Sequence, residues 1–546
     1  MEMTDQQAAT FLSMCWGLWG ERSRVPGWVL ERTGWLDLPE TTFQSLPKLQ
    51  KQTTRWIKDS ETVVVMGMGG SSLCPLMWSY YAKPSGPRLV VLDTTDPDKV
   101  RRATAEMTLS RAAFMASSKS GTTAETRALL DFYLSKTGRK KDPKRFAVLS
   151  DSGTALRTMA KMQGFASMPA TPETVGGRFS ALTPFGMIPA CAAGLDVEAL
   201  LLSAGGMRKR CMDTKPLSSN PGWLLGHWLA EQESRGQDKL TLFLSPGLEP
   251  FGLWLEQLLA ESLGKQGRGL LPVLDDVSSC DSSPGGDRCY AGLFWSEDEA
   301  ASERWSAVPS GAPRIGPFFV ESPEALGSEI YRWEFATALA GGLMGINPFD
   351  QPNVEAAKAY TRGIVEELAS GKPLPYPAKL GRAGSLTLRG SPTSSAGGKG
   401  VALLRDFFAQ GREGSFIPIL AYLPESSETD AMLLQVKSAL RGVLPHAVTV
   451  GYGPRYLHST GQLHKGGRND GLFLFITRRL APKAKRLLIP GEKGLSFDEL
   501  QLAQAVGDFM ALEAHGRRAF WLEMDDLRSS SLDNLEDTVR SALLSL

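Results

Sequence analysis

From residue 61 onward, short apolar runs recur, each ending in a cluster of small polar residues. ETVVVMGMGGSS, PRLVVLDTTDP, RAAFMASSKSGTT and RFAVLSDSGT share this grammar, and amphipathic stretches such as AETRALLDFYLSK separate them. Apolar runs alternating with helical segments predict parallel strands covered by helices on both faces. Ligands of such folds bind at the carboxyl ends of the strands, where the Gly/Ser/Thr clusters fall. The theme restarts after a Pro/Ser-rich break near KPLSSNPGW. There DKLTLFLSPG, GLLPVLDD, RCYAGLFWS and PRIGPFFVES read as strands, with PFGLWLEQLLAESLGK and PEALGSEIYRWEFATALAGGLMG as helices. A third set, SFIPILAYLP, AVTVGYG and DGLFLFITRR, lies beyond a Gly/Ser-rich stretch at 382–400 that reads as a loop or linker.

The expected fold is therefore α/β: two doubly wound, flavodoxin-like parallel-sheet domains and a smaller C-terminal α/β unit. The expected limits are a helical segment at 1–45, sheet domains at 46–205 and 206–375, a linker at 376–400 and the third unit at 401–546. Residues 1–60 read as mostly helical, with Trp16, Leu18, Trp19, Leu36 and Leu38 as apolar anchors.

Composition narrows the function more than the fold. A chain of 546 residues exceeds one simple core, in keeping with several domains. A formal net charge of +1 gives no bulk attraction to nucleic acid or an anionic membrane, and neither is expected as a partner. The six cysteines are scattered and form no C-x-x-C pair, which argues against a zinc ribbon or a disulfide framework. There is no apolar run of spanning length, and the first residues lack the charge layout of a signal peptide, so a cytoplasmic protein is expected.

Several segments carry candidate chemistry. Gly67-Met-Gly-Gly-Ser-Ser72 follows a strand, but Ser72 stands where a dinucleotide fingerprint needs its last glycine. It reads equally well as a backbone approach to an anion or as a tight turn with no ligand. Ser117-Ser-Lys-Ser-Gly-Thr-Thr-Ala-Glu-Thr126 sets hydroxyls, a lysine and a helix start together, the donors a phosphate monoester needs. Capping alone accounts for one or two of those hydroxyls, not the set. Arg178 follows two glycines in Val175-Gly-Gly-Arg-Phe-Ser180 and gains meaning only from its company. Gln257 and Glu261, four apart, share a helix face, with Glu256 turned about 100° away. A helical glutamate usually faces solvent; in a pocket it suits removal of a carbon-bound proton. Gln351 and Lys358 are seven apart, two helical turns. His458 and His464 are spaced poorly for a helical metal pair, and no Cys/Asp cluster joins them, so no metal and no cofactor is expected.

Together these segments resemble phosphoglucose isomerase, a family built from two sugar-isomerase (SIS) domains, over roughly residues 30–375. The motifs Ser-Lys-x-x-Thr-Thr-x-Glu-Thr, Gly-Gly-Arg, Gln-x-x-x-Glu-Ser-x-Gly-Lys and Phe-Asp-Gln-x-x-Val-Glu-x-x-Lys occur in the family's order. The resemblance implies that Gly70 and Ser71 border a sugar phosphate held by Ser118, Lys119, Ser120 and Thr123. It makes Glu261 the base, has Arg178 stabilise the enediolate, and puts Gln257, Gln351 and Lys358 at the sugar. The phosphate loop departs from the usual pattern at Ser120-Gly121, where the family has Thr-Phe. The family's ring-opening histidine normally precedes the lysine motif, yet no histidine lies between His227 and His446. HSTGQLHKGG comes later and is similar to the corresponding part of transaldolase–phosphoglucose isomerase fusion proteins. That places the role on His458, with His464 as runner-up. The expected function is interconversion of glucose 6-phosphate and fructose 6-phosphate by a homodimer. The rivals are an isomerase that also accepts mannose 6-phosphate and a non-catalytic sugar-phosphate-binding regulator.

Overall fold

The computed structural model describes residues 32–137, 142–213, 217–275, 286–391, 400–492 and 494–546. The anchors Trp16, Leu18 and Trp19 lie outside the described residues, whereas Leu36 and Leu38 are buried at the start of the helix Leu38–Ile57.

Among the described residues there are three sheets, and the same strand order appears in each. The first runs β2 (Arg88–Leu92), β1 (Thr62–Gly67), β3 (Ala112–Ser117), β4 (Phe146–Leu149), all parallel. The second runs β6 (Leu271–Asp275), β5 (Lys239–Leu244), β7 (Arg288–Trp295), β8 (Arg314–Val320), again all parallel. In the third, β12 (Ala447–Tyr452), β11 (Phe416–Tyr422), β13 (Leu472–Arg478) and β14 (Arg518–Met524) are parallel in that order. An antiparallel hairpin, β10 (Leu386–Gly390) with β9 (Lys379–Ala383), extends this sheet beyond β14.

That hairpin corrects the reading of 376–400 as a linker. Leu386 and Leu388 are fully buried in the third unit's core, and the turn is made at Gly384, whose φ of 56° suits glycine. Glycine and serine there mark a hairpin turn and not a tether. Only 392–399 of that stretch lies outside the described residues.

Strand β1 shows why the sheets are covered on both faces. Val63 and Val65 enter one core while Val64 and Met66 enter another on the opposite side, as the two-residue period requires. The first of these cores is shared with the second sheet through Leu240, Leu255 and Trp333. The other takes Phe497 and Leu500 from the third unit. The third unit is thus packed into the first, not tethered beside it.

Four helices position the site. They are α1 (Ala124–Thr137), α2 (Glu249–Leu263), α3 (Val354–Ala369) and α4 (Phe497–Ala514). Helix α2 is buried nearly all round, so its polar side chains have protein for an environment and require partners there. Among the described residues, no helix is long and apolar enough to cross a membrane.

Candidate active site

In an open parallel sheet the ligand crevice lies where successive connections leave in opposite directions. In the first sheet that is the gap between β1 and β3, whose ends carry Gly67–Ser72 and Ser117–Thr123. The loop after β3 is internally ordered. Ser118 Oγ and Thr123 Oγ1 are 2.8 Å apart, as are Ser120 Oγ and Thr122 Oγ1. Ser117 Oγ and Thr126 Oγ1, at the two ends of the loop, are buried with no protein partner. Lys119 turns its ammonium to Asp151 and to the Pro172 carbonyl, so much of its charge is neutralised. The loop therefore offers hydroxyls and a helix start more than a free cation.

The glycines after β1 have a packing reason. A Cβ on Gly70 would run into the carbonyl of Gly177, and one on Gly69 would meet Gln257 Nε2 at 2.8 Å and the His458 carbonyl at 3.0 Å. Gly69 also has φ of 56°. The motif reads from the sequence as an anion approach or a bare turn. The structure adds a third reason, the close approach of the segments that carry Arg178, Gln257 and His458.

Arg178 is buried and reaches across the two sheet domains. Its Nε donates to Ser262 Oγ at 2.7 Å, and Nη2 donates to the carbonyls of Pro348 (2.6 Å) and Asp350 (2.8 Å). Nη1 lies 3.3 Å from both Gln351 Oε1 and Glu261 Oε1. Burial lowers its pKa, against the opposing pull of Glu261 and Asp350. Gln257 Nε2 donates to Glu261 Oε2 at 2.9 Å, so each carboxylate oxygen of Glu261 has a partner. Arg178, Gln257, Glu261 and Gln351 thus form one cluster. Lys265, at the end of the same motif, bonds Asp350 Oδ1 at 2.9 Å; burial and the Arg178 charge push it down to about 7.

His458 ends a short 3₁₀ turn after β12, and its Nε2 lies 3.0 Å from Glu125 Oε1. Burial opposes charge on Glu125, but the charge and hydrogen bond of His458, with the more distant Lys358 ammonium, hold its carboxyl below the usual value. An ionised carboxylate only accepts, so Nε2 carries the proton and donates, leaving Nδ1 on the other side of the ring. Gln504 from α4 donates to the same Glu125 oxygen at 2.7 Å, while its own amide oxygen accepts from Thr95 Oγ1 at 2.7 Å. Below the turn, Tyr456 donates to Asp508 at 2.7 Å, and Asp508 pairs with Lys465 at 2.5 Å.

His464 is elsewhere in kind. It is buried among Phe416, Tyr456 and Phe473, with neither ring nitrogen hydrogen-bonded. Burial and the charges of Lys465 and Arg517 push its pKa far down, so it is a neutral core residue and no partner of His458 for a metal. Lys358, on α3, pairs with Glu355 at 2.7 Å and reaches the site only through its charge on Glu125.

Sequence reasoning missed Glu125, Gln504, Asp508 and Arg455. Glu125 stood inside the phosphate motif and was counted with it. Arg455 pairs with Asp93 through two hydrogen bonds of 2.6 and 2.8 Å and with Glu425 at 2.6 Å, a contact across 362 residues that no local pattern announces.

Paired parallel sheets of one order, a Ser/Thr loop at the switch point and a buried Glu–Arg pair define an α/β protein of the sugar-isomerase class. A family model of phosphoglucose isomerase matches residues 49–269. A probable glucose-6-phosphate isomerase of Haloarcula marismortui is 30% identical over 351 residues, covering 57% of this chain and 79% of that protein. A glucose-6-phosphate isomerase of Methanocaldococcus jannaschii is 30% identical over 347 residues, 56% of this chain and 85% of that one. Among solved structures, a hypothetical protein of Thermus thermophilus superposes with a TM-score of 0.57 at 26% identity, covering 66% of this chain and 95% of that one. The chain belongs to the phosphoglucose isomerase family.

Proposed function

We propose that the protein interconverts glucose 6-phosphate and fructose 6-phosphate through a cis-enediol. The observation that carries this reading is the Gln257–Glu261–Arg178 cluster facing the loop region after β1, with His458 on the same glycine. Ser118, Ser120 and Thr123, with the helix start of α1, hold the phosphate; Gly70 and Ser71 border it. Lys119 contributes mainly its backbone, its ammonium being engaged by Asp151. His458 moves the proton that opens the ring, using Nδ1. In the open chain, Glu261 takes the proton from C2 and returns it to C1, and the Arg178 guanidinium stabilises the negative oxygen of the enediolate between the two steps. Gln351 and Lys358 meet the sugar hydroxyls. Phosphate contacts remote from the reacting carbons fix their position.

The HSTGQLHKGG segment supports kinship with the isomerase half of transaldolase fusion proteins, and the family resemblance supports a cytoplasmic homodimer. A coupled assay tests the function: fructose 6-phosphate is supplied and glucose 6-phosphate is read with its dehydrogenase, with and without EDTA. Brisk turnover unchanged by EDTA is expected. Saturable binding without turnover would replace the enzyme by a sugar-phosphate sensor, and comparable turnover of mannose 6-phosphate would broaden the substrate.

A further inference from the structure

We propose that Glu256 is a positioning residue for the isomerisation, its carboxyl setting the His458 imidazole relative to the Glu261 carboxylate by way of Ser459. This rests on the isomerase reading above and adds a residue that reading does not use.

Glu256 and Gln257 are neighbours on α2, and each grips a different part of the site. Gln257 Nε2 donates to Glu261 Oε2, while Glu256 Oε1 accepts from Ser459 Oγ at 3.1 Å. Ser459 is the residue after His458 and is buried. The His458 backbone and the Gln257 amide crowd the same point beside Gly69, so a shift of the histidine turn is felt at once on α2. Two adjacent residues of one rigid helix therefore fix both the carbon base and the ring-opening group. A solvent-facing helix residue would have no such reach, and Glu256 is only 8% exposed.

Burial pushes the Glu256 carboxyl up to about 7, against the Ser459 hydroxyl and the Arg455 charge, which favour ionisation. The other charged groups nearby are already paired: Arg455 with Asp93 and Glu425, Glu261 with Arg178, and His458 with Glu125. Glu256 is the carboxyl of this set left to a neutral partner. A hydroxyl bonds an ionised acceptor more strongly than a neutral one, so the hold on the histidine turn tightens as pH rises through about 7.

The test is kcat and KM against pH, from about 5.5 to about 8.5, for the wild type, Glu256→Gln and Ser459→Ala. Both variants should lose about ten-fold in kcat, less than the ~10²-fold of a 1 Å misplacement, with KM within about two-fold. Both should also flatten the wild-type rise of kcat through neutral pH. Ser459→Ala leaves the buried carboxyl in place and covers the case in which Glu256→Gln does not fold. Variants that keep the wild-type pH profile, or that raise KM alone, overturn the proposal. A wild type that binds sugar phosphate without turnover instead overturns the isomerase reading, and the two failures are distinguishable.

Discussion

Arg178 holds five partners from two separate segments, Glu261–Ser262 on α2 and the loop 348–351, two of them backbone carbonyls. A lysine has neither the planar fork nor the donors to reproduce them. Arg178→Lys should lower kcat/KM by about 10²–10³-fold, the usual loss when a donor aimed at a developing oxyanion is removed. It should also cost about 3 kcal/mol of stability, because one ammonium cannot reach all five partners and leaves buried acceptors unpaired. Steady-state kinetics and urea unfolding read the two effects separately. The histidines offer a contrast at the same scale. His458→Asn should slow turnover of the cyclic substrate by about 10²–10⁴-fold. His464→Phe should keep turnover within about three-fold and change stability by about 1 kcal/mol, since it substitutes one ring for another inside an aromatic box. Both histidines were visible in HSTGQLHKGG, but their difference was not. It depends on Glu125 meeting one ring and Phe473 the other, contacts set by strands β12 and β13 and not by spacing.

At the scale of elements, the turn that carries His458 is tied to the first sheet by the Asp93–Arg455–Glu425 group, with Lys99 also pairing Asp93 and Glu425. Asp93 closes β2 and Glu425 follows β11, so the cluster joins the ends of two sheets. Without Arg455, Asp93 and Glu425 are left to share Lys99 alone, one positive charge for two carboxylates. Arg455→Met should therefore cost about 3–5 kcal/mol and lower kcat, while Asp93→Asn with Arg455→Met together should cost less than the sum. Although partial burial opposes charge on Glu425, the charges of Arg455 and Lys99 hold its carboxyl well below the ordinary range. A lowered carboxylate contributes stability above its unfolded pKa and loses it as pH falls through the folded value. Acid should consequently narrow the gap in stability between wild type and Glu425→Gln until it vanishes, followed by urea midpoints at falling pH. Strands in all three sheets are legible because burial on both faces makes the central ones, such as β1, β3 and β11, continuous apolar runs. The exceptions were instructive. Strand β14 carries Glu523 inside its apolar run, which hides it from the pattern, and the β9–β10 hairpin is hidden by the glycine and serine that make its turn.

At the scale of the molecule, the candidate site is assembled from all three units of one chain. The first domain supplies Glu125 and the Ser118–Thr123 loop, the second domain supplies Glu261, and the third supplies His458 and Gln504. Gln462 secures the junction, donating to the Gly264 carbonyl at 3.0 Å and to Asn353 Oδ1 at 2.8 Å while accepting from the Asn353 backbone at 2.9 Å. It thereby latches the third unit to the end of α2 and the start of α3. The order of motifs along the sequence could not reveal this, because His458 lies 333 residues from the carboxylate it meets. The arrangement has a consequence for any homodimer. If each chain completes its own site, two chains disabled at different residues cannot repair one another. Glu261→Gln and His458→Asn proteins, mixed, unfolded together and refolded to allow exchange, should give no more activity than the two measured apart. If instead the histidine served a neighbouring subunit, about half of the sites in a mixed dimer would regain both intact groups in one arrangement and recover turnover. Recovery of activity in the mixture would therefore show that the third unit reaches across subunits, and its absence would fix His458 and Glu261 as members of one chain's site.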